Sequence, residues 1–150
     1  MRVIFILFIT LNLYSNEILG EIDKFNLPSL NLTNIEARID TRATSSSIHC
    51  TQIKRIDNHI KCKVLNKIEI IKPISKIAEV KSSNGEKALR YFIKKSDIEI
   101  FNKIYETELS LNDRTNMQYP LLIGRELLKK GFVVDVQKQN LSYLSSNYKE

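Results

Sequence analysis

The sequence predicts an all-β protein with a single domain. β-branched residues dominate its apolar set and tryptophan is absent, a composition that favours strands over helices. The apolar residues fall in short runs rich in isoleucine and valine, separated by polar turns. A chain of 150 residues can bury one sizeable core. We therefore expect one mainly β domain.

The N-terminus has the pattern of a secretory leader. Arg2 precedes an apolar run from Val3 to Leu13, which has the length of a signal h-region and is too short to span a bilayer comfortably. We expect a signal peptide over residues 1–20, with Ser15 and Gly20 as small residues near its end. A buried N-terminal strand is the alternative. The mature protein would be periplasmic or secreted, with no membrane attachment.

The remaining chain divides into a lead-in segment (residues 21–34, around Pro28), a domain (35–144) and a tail (145–150). The polar C-terminal stretch from Gln137 is expected to fray, apart from Leu141 and Leu144. Within the domain, short apolar runs predict strands, which we place at 35–39, 48–53, 60–64, 68–71, 74–80, 88–93, 98–101, 105–111, 132–136 and in a stretch that ends at Gly124.

Turn residues mark where these strands connect. Asn84-Gly85 gives the strongest hairpin signal, since both residues accept the positive φ angles of a type I′ turn. Asp57-Asn58 marks the tip of an earlier hairpin. The strand that ends at Gly124 is apolar on both faces, which predicts a central, buried position. Arg125 to Lys130 carries helix formers closed by Gly131, and predicts one short helix.

One short run stands out between two predicted strands. After Ile39 the chain has one carboxylate, Asp40, and five hydroxyl residues before Ile48, with no long apolar side chain. Such a segment makes a turn in which hydroxyls and backbone N–H groups can hold the carboxylate. An Asx or Ser/Thr turn that only bonds its own backbone is one interpretation. A functional carboxylate is the other.

The choice between a structural turn and a functional carboxylate depends on a second motif, because the two motifs together resemble a known family. The two segments read Asp40-Thr41-Arg42-Ala43-Thr44-Ser45-Ser46-Ser47-Ile48-His49 and Asp113-Arg114-Thr115-Asn116-Met117-Gln118-Tyr119-Pro120-Leu121-Leu122-Ile123-Gly124-Arg125. Together they resemble the bacterial retropepsin-like aspartic proteases, a group also labelled ATP-dependent zinc proteases. The likeness covers roughly residues 35 to 142 and includes the Asn84-Gly85 hairpin, Arg90 and Val134-Asp135. Without this likeness, we would assign Arg114 to a turn and both Met117 and Tyr119 to the core.

The resemblance implies a retropepsin-like (acid protease) closed barrel with one short C-terminal helix. Asp40 would be the catalytic carboxylate, Thr41 would brace its loop, and Ala43 would lie against the substrate cleft, with Gly124 and Arg125 as further support. Each chain of a family member supplies only one catalytic aspartate. The resemblance therefore implies a homodimer that hydrolyses a peptide or protein substrate without a cofactor. Residues Lys81 to Lys87 are our prediction for the flap.

Arg42 departs from the family pattern, which has glycine at this position. Glycine lets a substrate backbone pass close to the loop because it lacks a Cβ atom. A guanidinium beside a carboxylate also favours its ionised form, whereas an aspartic dyad shares a proton. The sequence therefore leaves two functions open, an aspartic endopeptidase and a catalytically silent domain that binds peptide through the same cleft.

The two cysteines support a further alternative. Cys50 and Cys62 flank the predicted hairpin, and in an oxidising compartment they could form a disulfide. They could equally be two small core residues. With His49 and His59 they could also form a zinc site, although the spacing is unlike the usual paired hooks. A small zinc- or disulfide-stabilised interaction module is therefore a third function.

Other function classes find no support. The chain has no H-E-x-x-H, no Walker loop and no G-x-G-x-x-G, so neither a catalytic metal nor a nucleotide is expected. Its formal net charge is +6, but adjacent basic residues occur only as Lys54-Arg55, Lys94-Lys95 and Lys129-Lys130. No basic stripe carries interleaved aromatics, so we do not expect nucleic-acid binding.

Overall fold

The computed structural model of the chain describes residues 15–81, 85 and 87–147. Ten strands lie within these ranges: β1 (Glu17–Leu19), β2 (Ile22–Leu27), β3 (Leu32–Ile39), β4 (Ser46–Ile56), β5 (His59–Val64), β6 (Ile68–Lys81), β7 (Lys87–Ile100), β8 (Lys103–Asn112), β9 (Leu121–Ile123) and β10 (Phe132–Val134). Two helices follow β9 and β10, α1 (Arg125–Leu128) and α2 (Leu141–Asn147), and a 3-10 turn spans Pro28–Leu30. The all-β prediction is confirmed.

Eight strands form one large sheet in the order β2-β3-β9-β4-β5-β6-β7-β8. β4 also pairs with β8, in parallel, and β2 also meets β7. β1 and β10 form a separate parallel pair. The buried core consists mainly of aliphatic side chains and also includes Phe25, Cys50 and Cys62, as the isoleucine-rich runs predict.

The short strand β9 lies between β3 and β4, the two strands that flank Asp40 in sequence. It runs parallel to β3 and antiparallel to β4, so it separates two strands that are neighbours in sequence. Leu121 and Ile123 are fully buried. The prediction that this strand is central and buried is confirmed.

Two strands are longer than the sequence pattern indicated. β6 runs through Pro73, and β7 runs through the polar stretch at 94–97, where we had predicted strand ends. The pairing register shifts between Ile74 and Lys76 in β6 and between Ile93 and Ser96 in β7. Such irregularities bend a strand without ending it. The polar and proline signals therefore mark bends in continuous strands.

Ordered structure begins earlier than the predicted start at Ile35. β1 and β2 both belong to the fold, and Leu19 and Phe25 are almost completely buried. Alternate residues of β2 are buried, which is the pattern of a strand packed on a core. Residues 1–14, which hold most of the predicted signal peptide, lie outside the described residues.

The tail also differs from the prediction, because α2 docks on the sheet. The buried carboxylate of Asp23 in β2 accepts hydrogen bonds from the N–H groups of Ser142 (2.8 Å) and Tyr143 (3.1 Å). These are unpaired donors of the first helical turn, so Asp23 caps the helix from another element. The apolar periodicity of 141–147 was too weak to predict it. Across the described ranges, no helix is long and apolar enough to cross a bilayer.

The predicted short helix and hairpins are present. α1 follows Gly124, and Gly131 ends the turn after it with a φ of 119°. Asp57 and Asn58 connect β4 to β5. β6 and β7 pair as far as Lys81 and Lys87, but residues 82–84 and 86 of the predicted flap lie outside the described part of the chain.

Cys50 in β4 and Cys62 in β5 form a disulfide. Both residues are also buried in the core, at 0% and 1% exposed. The cross-link therefore joins two neighbouring strands from within the apolar interior.

Candidate active site

Asp40 follows β3 directly and begins the hydroxyl-rich loop. Its backbone N–H donates to the carbonyl of Ile123 in β9 (2.9 Å). Its Oδ1 atom accepts from the N–H groups of Arg42 (2.9 Å) and Ala43 (3.3 Å). The Asx turn foreseen from the sequence is thus present, and it fixes the half-buried carboxylate by one oxygen.

Gly124 brings the end of β9 against this loop. A Cβ atom at Gly124 would lie 2.5 Å from the carbonyl carbon of Ser45, a distance that no side chain tolerates. The Gly124 N–H also donates to the buried hydroxyl of Ser46 (3.1 Å). Glycine is therefore required here for close approach of two backbones.

The start of α1 completes the attachment. The N–H of Arg125 donates to the carbonyl of Ala43 (2.9 Å), and the N–H of Glu126 donates to that of Thr44 (3.0 Å). The Arg125 guanidinium donates from Nη2 to the Thr44 hydroxyl (3.1 Å). The structure thus brings Asp40, Ala43 and Arg125 together, although Thr44 and Arg125 are 81 residues apart in sequence.

Thr41 and Arg42 are exposed at the outer side of the loop. They line an open cavity of about 590 Å³ with Asp40. No salt bridge in the described ranges joins Arg42 to Asp40. The Thr41 side chain is exposed, and its role as a brace of the loop stays a prediction.

The loop between β8 and β9 adds residues that the motif contained but the sequence could not place. The N–H of Arg114 donates to Nδ1 of the buried His49 (2.9 Å). Burial lowers the pKa of the Arg114 guanidinium, as does the positive charge of Arg90, while the negative charge of Asp40 raises it. Arg114 therefore lies within electrostatic reach of Asp40. Met117, assigned to the core from sequence, is 61% exposed.

The cysteine and histidine constellation does not assemble as a metal site would. Cys50 and Cys62 are bonded to each other, so neither sulfur is a thiolate ligand. His59 is exposed at the hairpin, while His49 is buried against Arg114. In the part of the chain that the structure describes, no three His, Cys, Asp or Glu residues are placed to hold a metal ion.

The Asp40 loop is hydrogen-bonded to β9 and packs closely against Gly124, the residue that follows this strand. This arrangement is that of a retropepsin-like domain. A family model described as "Retropepsin-like aspartic endopeptidase RimB" matches residues 18–143. The chain belongs to this RimB-like family, and the resemblance inferred from the two motifs is confirmed.

Two curated relatives are each named "Probable alpha-L-glutamate ligase". The protein of Shewanella pealeana is 34% identical over 129 residues, which cover 79% of this chain and 28% of that protein. The protein of Desulfotalea psychrophila is 25% identical over 140 residues, covering 81% of this chain and 28% of the relative. The chain thus corresponds to little more than a quarter of the length of these relatives.

A solved structure shows the same fold. The protein Lpg0085 of Legionella pneumophila, of unknown function, superposes with a TM-score of 0.69 at 24% sequence identity. The match covers 85% of this chain and 99% of the Legionella chain.

Proposed function

We propose that the protein is a homodimeric aspartic endopeptidase whose dyad consists of two Asp40 carboxylates, one from each chain. The attachment of the Asp40 loop to β9 and α1 is the observation that carries this proposal, because it holds a half-buried carboxylate at the edge of an open cavity. Membership of the RimB-like family supports it.

The chemistry requires a second carboxylate. In such a dyad one carboxylate activates water as a general base and the other protonates the carbonyl oxygen as a general acid. Two carboxylates about 3 Å apart cannot both ionise, so they share one proton. Asp40 has no acidic neighbour among its hydrogen-bond partners, and a twofold axis would supply one. The exposed Thr41 would then meet the partner chain.

The first test is hydrolysis of a peptide library by the wild-type chain and by Asp40→Asn. We expect cleavage by the wild type at acidic to neutral pH and none by the variant. Asp57→Asn is the matched control, because Asp57 is an exposed turn residue with a positive φ (51°) that asparagine also accepts. Cleavage that persists in Asp40→Asn would exclude the proposed dyad.

Mixed dimers test the sharing of the site between chains. Wild-type and Asp40→Asn chains are mixed after unfolding and refolding together, so that dimers form at random. If both aspartates are needed, an equal mixture retains about one quarter of the activity of the same total amount of wild type. A site complete in one chain would retain about one half, and that result would contradict the dimeric dyad.

Arg42 favours a second candidate function, a peptide-binding domain without catalysis. Arg42 lines the cavity beside Asp40, where glycine, which lacks a Cβ atom, would leave more room for a substrate backbone. This alternative predicts that the wild type binds peptides without cleaving them and that Arg42→Gly gains cleavage. Cleavage by the wild type excludes it.

We further propose that the protein is exported to the periplasm or secreted. The apolar run after Arg2 supports export, and so does the buried disulfide between Cys50 and Cys62, because disulfides persist in oxidising compartments.

A further inference from the structure

The strands β4, β5 and β6 collect a large part of the positive charge of the chain. Residues 51–73 contain six basic residues, Lys54, Arg55, Lys61, Lys63, Lys67 and Lys72, and two acidic residues, Asp57 and Glu69. The formal charge of this segment is therefore +4, against +6 for the whole chain. The basic residues stand in ones and twos along the sequence, and they become neighbours because the three strands pair.

Strand register places three lysines and two isoleucines on one face of this sheet. Lys54 in β4 lies opposite Lys61 in β5, and Lys61 lies opposite Ile71 in β6, so their side chains share a face. Ile56 and Lys63 are each two residues along the strand from one of these lysines, and they point to the same side. We call the surface formed by Lys54, Ile56, Lys61, Lys63 and Ile71 the basic face.

The other side of the same strands belongs to the core. Ile60, Cys62 and Val64 alternate with the lysines of β5 and are almost completely buried. The disulfide from Cys62 to Cys50 joins β5 to β4 on this buried side. The basic face is therefore the outward surface of a sheet that is fixed from behind.

The charge of the basic face is only partly balanced. The Nζ atom of Lys61 pairs with the carboxylate of Glu69 at 2.8 Å. Within the described ranges, neither Lys54 nor Lys63 takes part in a salt bridge. The face thus keeps an excess of positive charge that an anionic partner would complement.

The same face also exposes apolar side chains. Ile71 is 57% exposed and Ile56 is 41% exposed, and they lie on either side of β5. Lysine side chains add apolar methylene stems beneath their charged ends. Apolar groups surrounded by cations are the composition of surfaces that lie in the interface of a membrane.

We propose that the basic face docks the protein on a membrane of anionic phospholipids. The ammonium groups would contact lipid phosphates, while Ile56 and Ile71 would enter the boundary between the headgroups and the acyl chains. This differs from the expectation of no membrane attachment, because the residues of the face are dispersed in the sequence. The inference does not depend on the proposed function. β4 begins beside the Asp40 loop and ends at Ile56, so docking is compatible with an accessible cavity at Asp40.

Flotation with lipid vesicles tests the proposal. The full-length chain is mixed with vesicles of phosphatidylcholine or of phosphatidylglycerol, and the bound fraction over a range of lipid concentrations gives each Kd. We expect binding to phosphatidylglycerol to be at least about tenfold tighter, since each basic residue near an anionic surface strengthens binding about fivefold. Higher salt should reduce the difference. Equal binding of the wild type to both kinds of vesicle, or binding to neither, would overturn the proposal.

A lysine variant assigns the preference to the basic face. Lys54→Gln/Lys63→Gln should weaken binding to phosphatidylglycerol by about tenfold or more. Lys129→Gln/Lys130→Gln is the matched control, because it removes the same charge from two exposed lysines after α1. The apolar run after Arg2 is present in both variants, so it does not account for a difference between them. Equal weakening by the two variants would show that net charge alone binds the vesicles, which would contradict docking through this face.

An isoleucine variant distinguishes a membrane from a soluble partner. Ile56→Thr/Ile71→Thr keeps the β-branched side chains that strands favour, but it should weaken vesicle binding about fivefold or more because apolar contact is lost. Ile104→Thr, at a residue of β8 that is 55% exposed, should bind as the wild type does. Unchanged binding in the double variant would assign the face to a soluble polyanion or an acidic protein and refute the membrane. Thermal unfolding identifies a variant that does not fold, in which case the single changes Lys54→Gln and Ile71→Thr decide the result.

Discussion

At the scale of single residues, the arginine at position 42 beside Asp40 separates the two candidate functions, an endopeptidase and a peptide-binding domain without catalysis. The hydrogen bonds that orient Asp40 come from the backbone N–H groups of Arg42 and Ala43, so the change from glycine to arginine leaves them intact. The Arg42 side chain is exposed and forms no salt bridge with Asp40 in the described ranges. The protomer therefore keeps the carboxylate in position, and the effect of Arg42 falls on substrate approach.

A second residue, Asp23, makes the stability of the fold depend on pH. Burial raises the pKa of its carboxyl, although the N–H groups of Ser142, Lys24 and Tyr143 lower it in part. A raised pKa means that the folded state binds the proton more tightly than the unfolded state. The stabilisation that this provides is present below the ordinary pKa of an aspartate and is lost as pH rises through the raised value.

We expect Asp23→Asn to remove this dependence. The free energy of unfolding of wild type minus that of the variant should fall as pH rises from below the ordinary aspartate pKa through the raised one, and then level off. Urea denaturation over a series of acidic pH values measures it. The exposed Asp57→Asn variant, treated in the same way, corrects for the chemical change. A difference that is constant or grows with pH would show that Asp23 is not the titrating group.

At the scale of elements, sequence patterns located the strands well and their ends poorly. The fully apolar β9 and the helix closed by Gly131 were both predictable, because burial on two faces and a C-terminal glycine leave plain signals. The continuity of β6 through Pro73 was not, since a bulge and a strand end share the same local residues.

The candidate site shows the same limit. The two motifs point to Asp40, Gly124 and Arg125, and the structure brings these residues together. The placement of Arg114 and Arg90 around one cavity could not be predicted, because it depends on the register of β7 against β8 and on the path of a loop. Arg114 stands in the polar half of its motif, beside Asp113 and Thr115, so its local sequence carries no signal beyond the family resemblance.

The disulfide between β4 and β5 yields a prediction at this scale. It closes a loop with a sequence separation of 12 residues, for which loss of chain entropy in the unfolded state corresponds to about 3 kcal/mol. We expect Cys50→Ala/Cys62→Ala to lose at least this free energy of unfolding, since alanine also removes buried sulfur atoms. Urea denaturation measures the loss.

Reduction of the wild type separates the cross-link from the packing. Adding a dithiol reductant should destabilise the wild type and leave the double-alanine variant unchanged. If the reduced and oxidised wild-type proteins unfold at the same urea concentration, the disulfide contributes nothing to stability.

At the scale of the whole molecule, pairing between segments distant in sequence holds the Asp40 loop in place. β9 inserts between β3 and β4, and its end carries Gly124 and α1 to the Asp40 loop. One domain thereby holds one carboxylate firmly, while the exposed Thr41 and the open cavity face outward. Under the proposed function, a second copy of the chain would supply the other carboxylate of the mechanism.

The limits of the fold favour one of the two cleavage positions considered for the proposed leader. β1 pairs with β10 from Glu17 to Leu19, and Leu19 is fully buried. Cleavage after Gly20 would delete this strand and expose the core beneath it, at a cost of about 1.5–3 kcal/mol for the leucine alone. Cleavage after Ser15 leaves β1 intact, and a small residue at that position suits a signal peptidase.

We therefore expect an exported mature chain that begins at Asn16, as measured by intact mass and N-terminal sequencing of the protein from a periplasmic extract. A bulky residue in the variant Ser15→Tyr should leave the uncleaved precursor, whereas a mature chain that begins at Glu21 would show that β1 is dispensable.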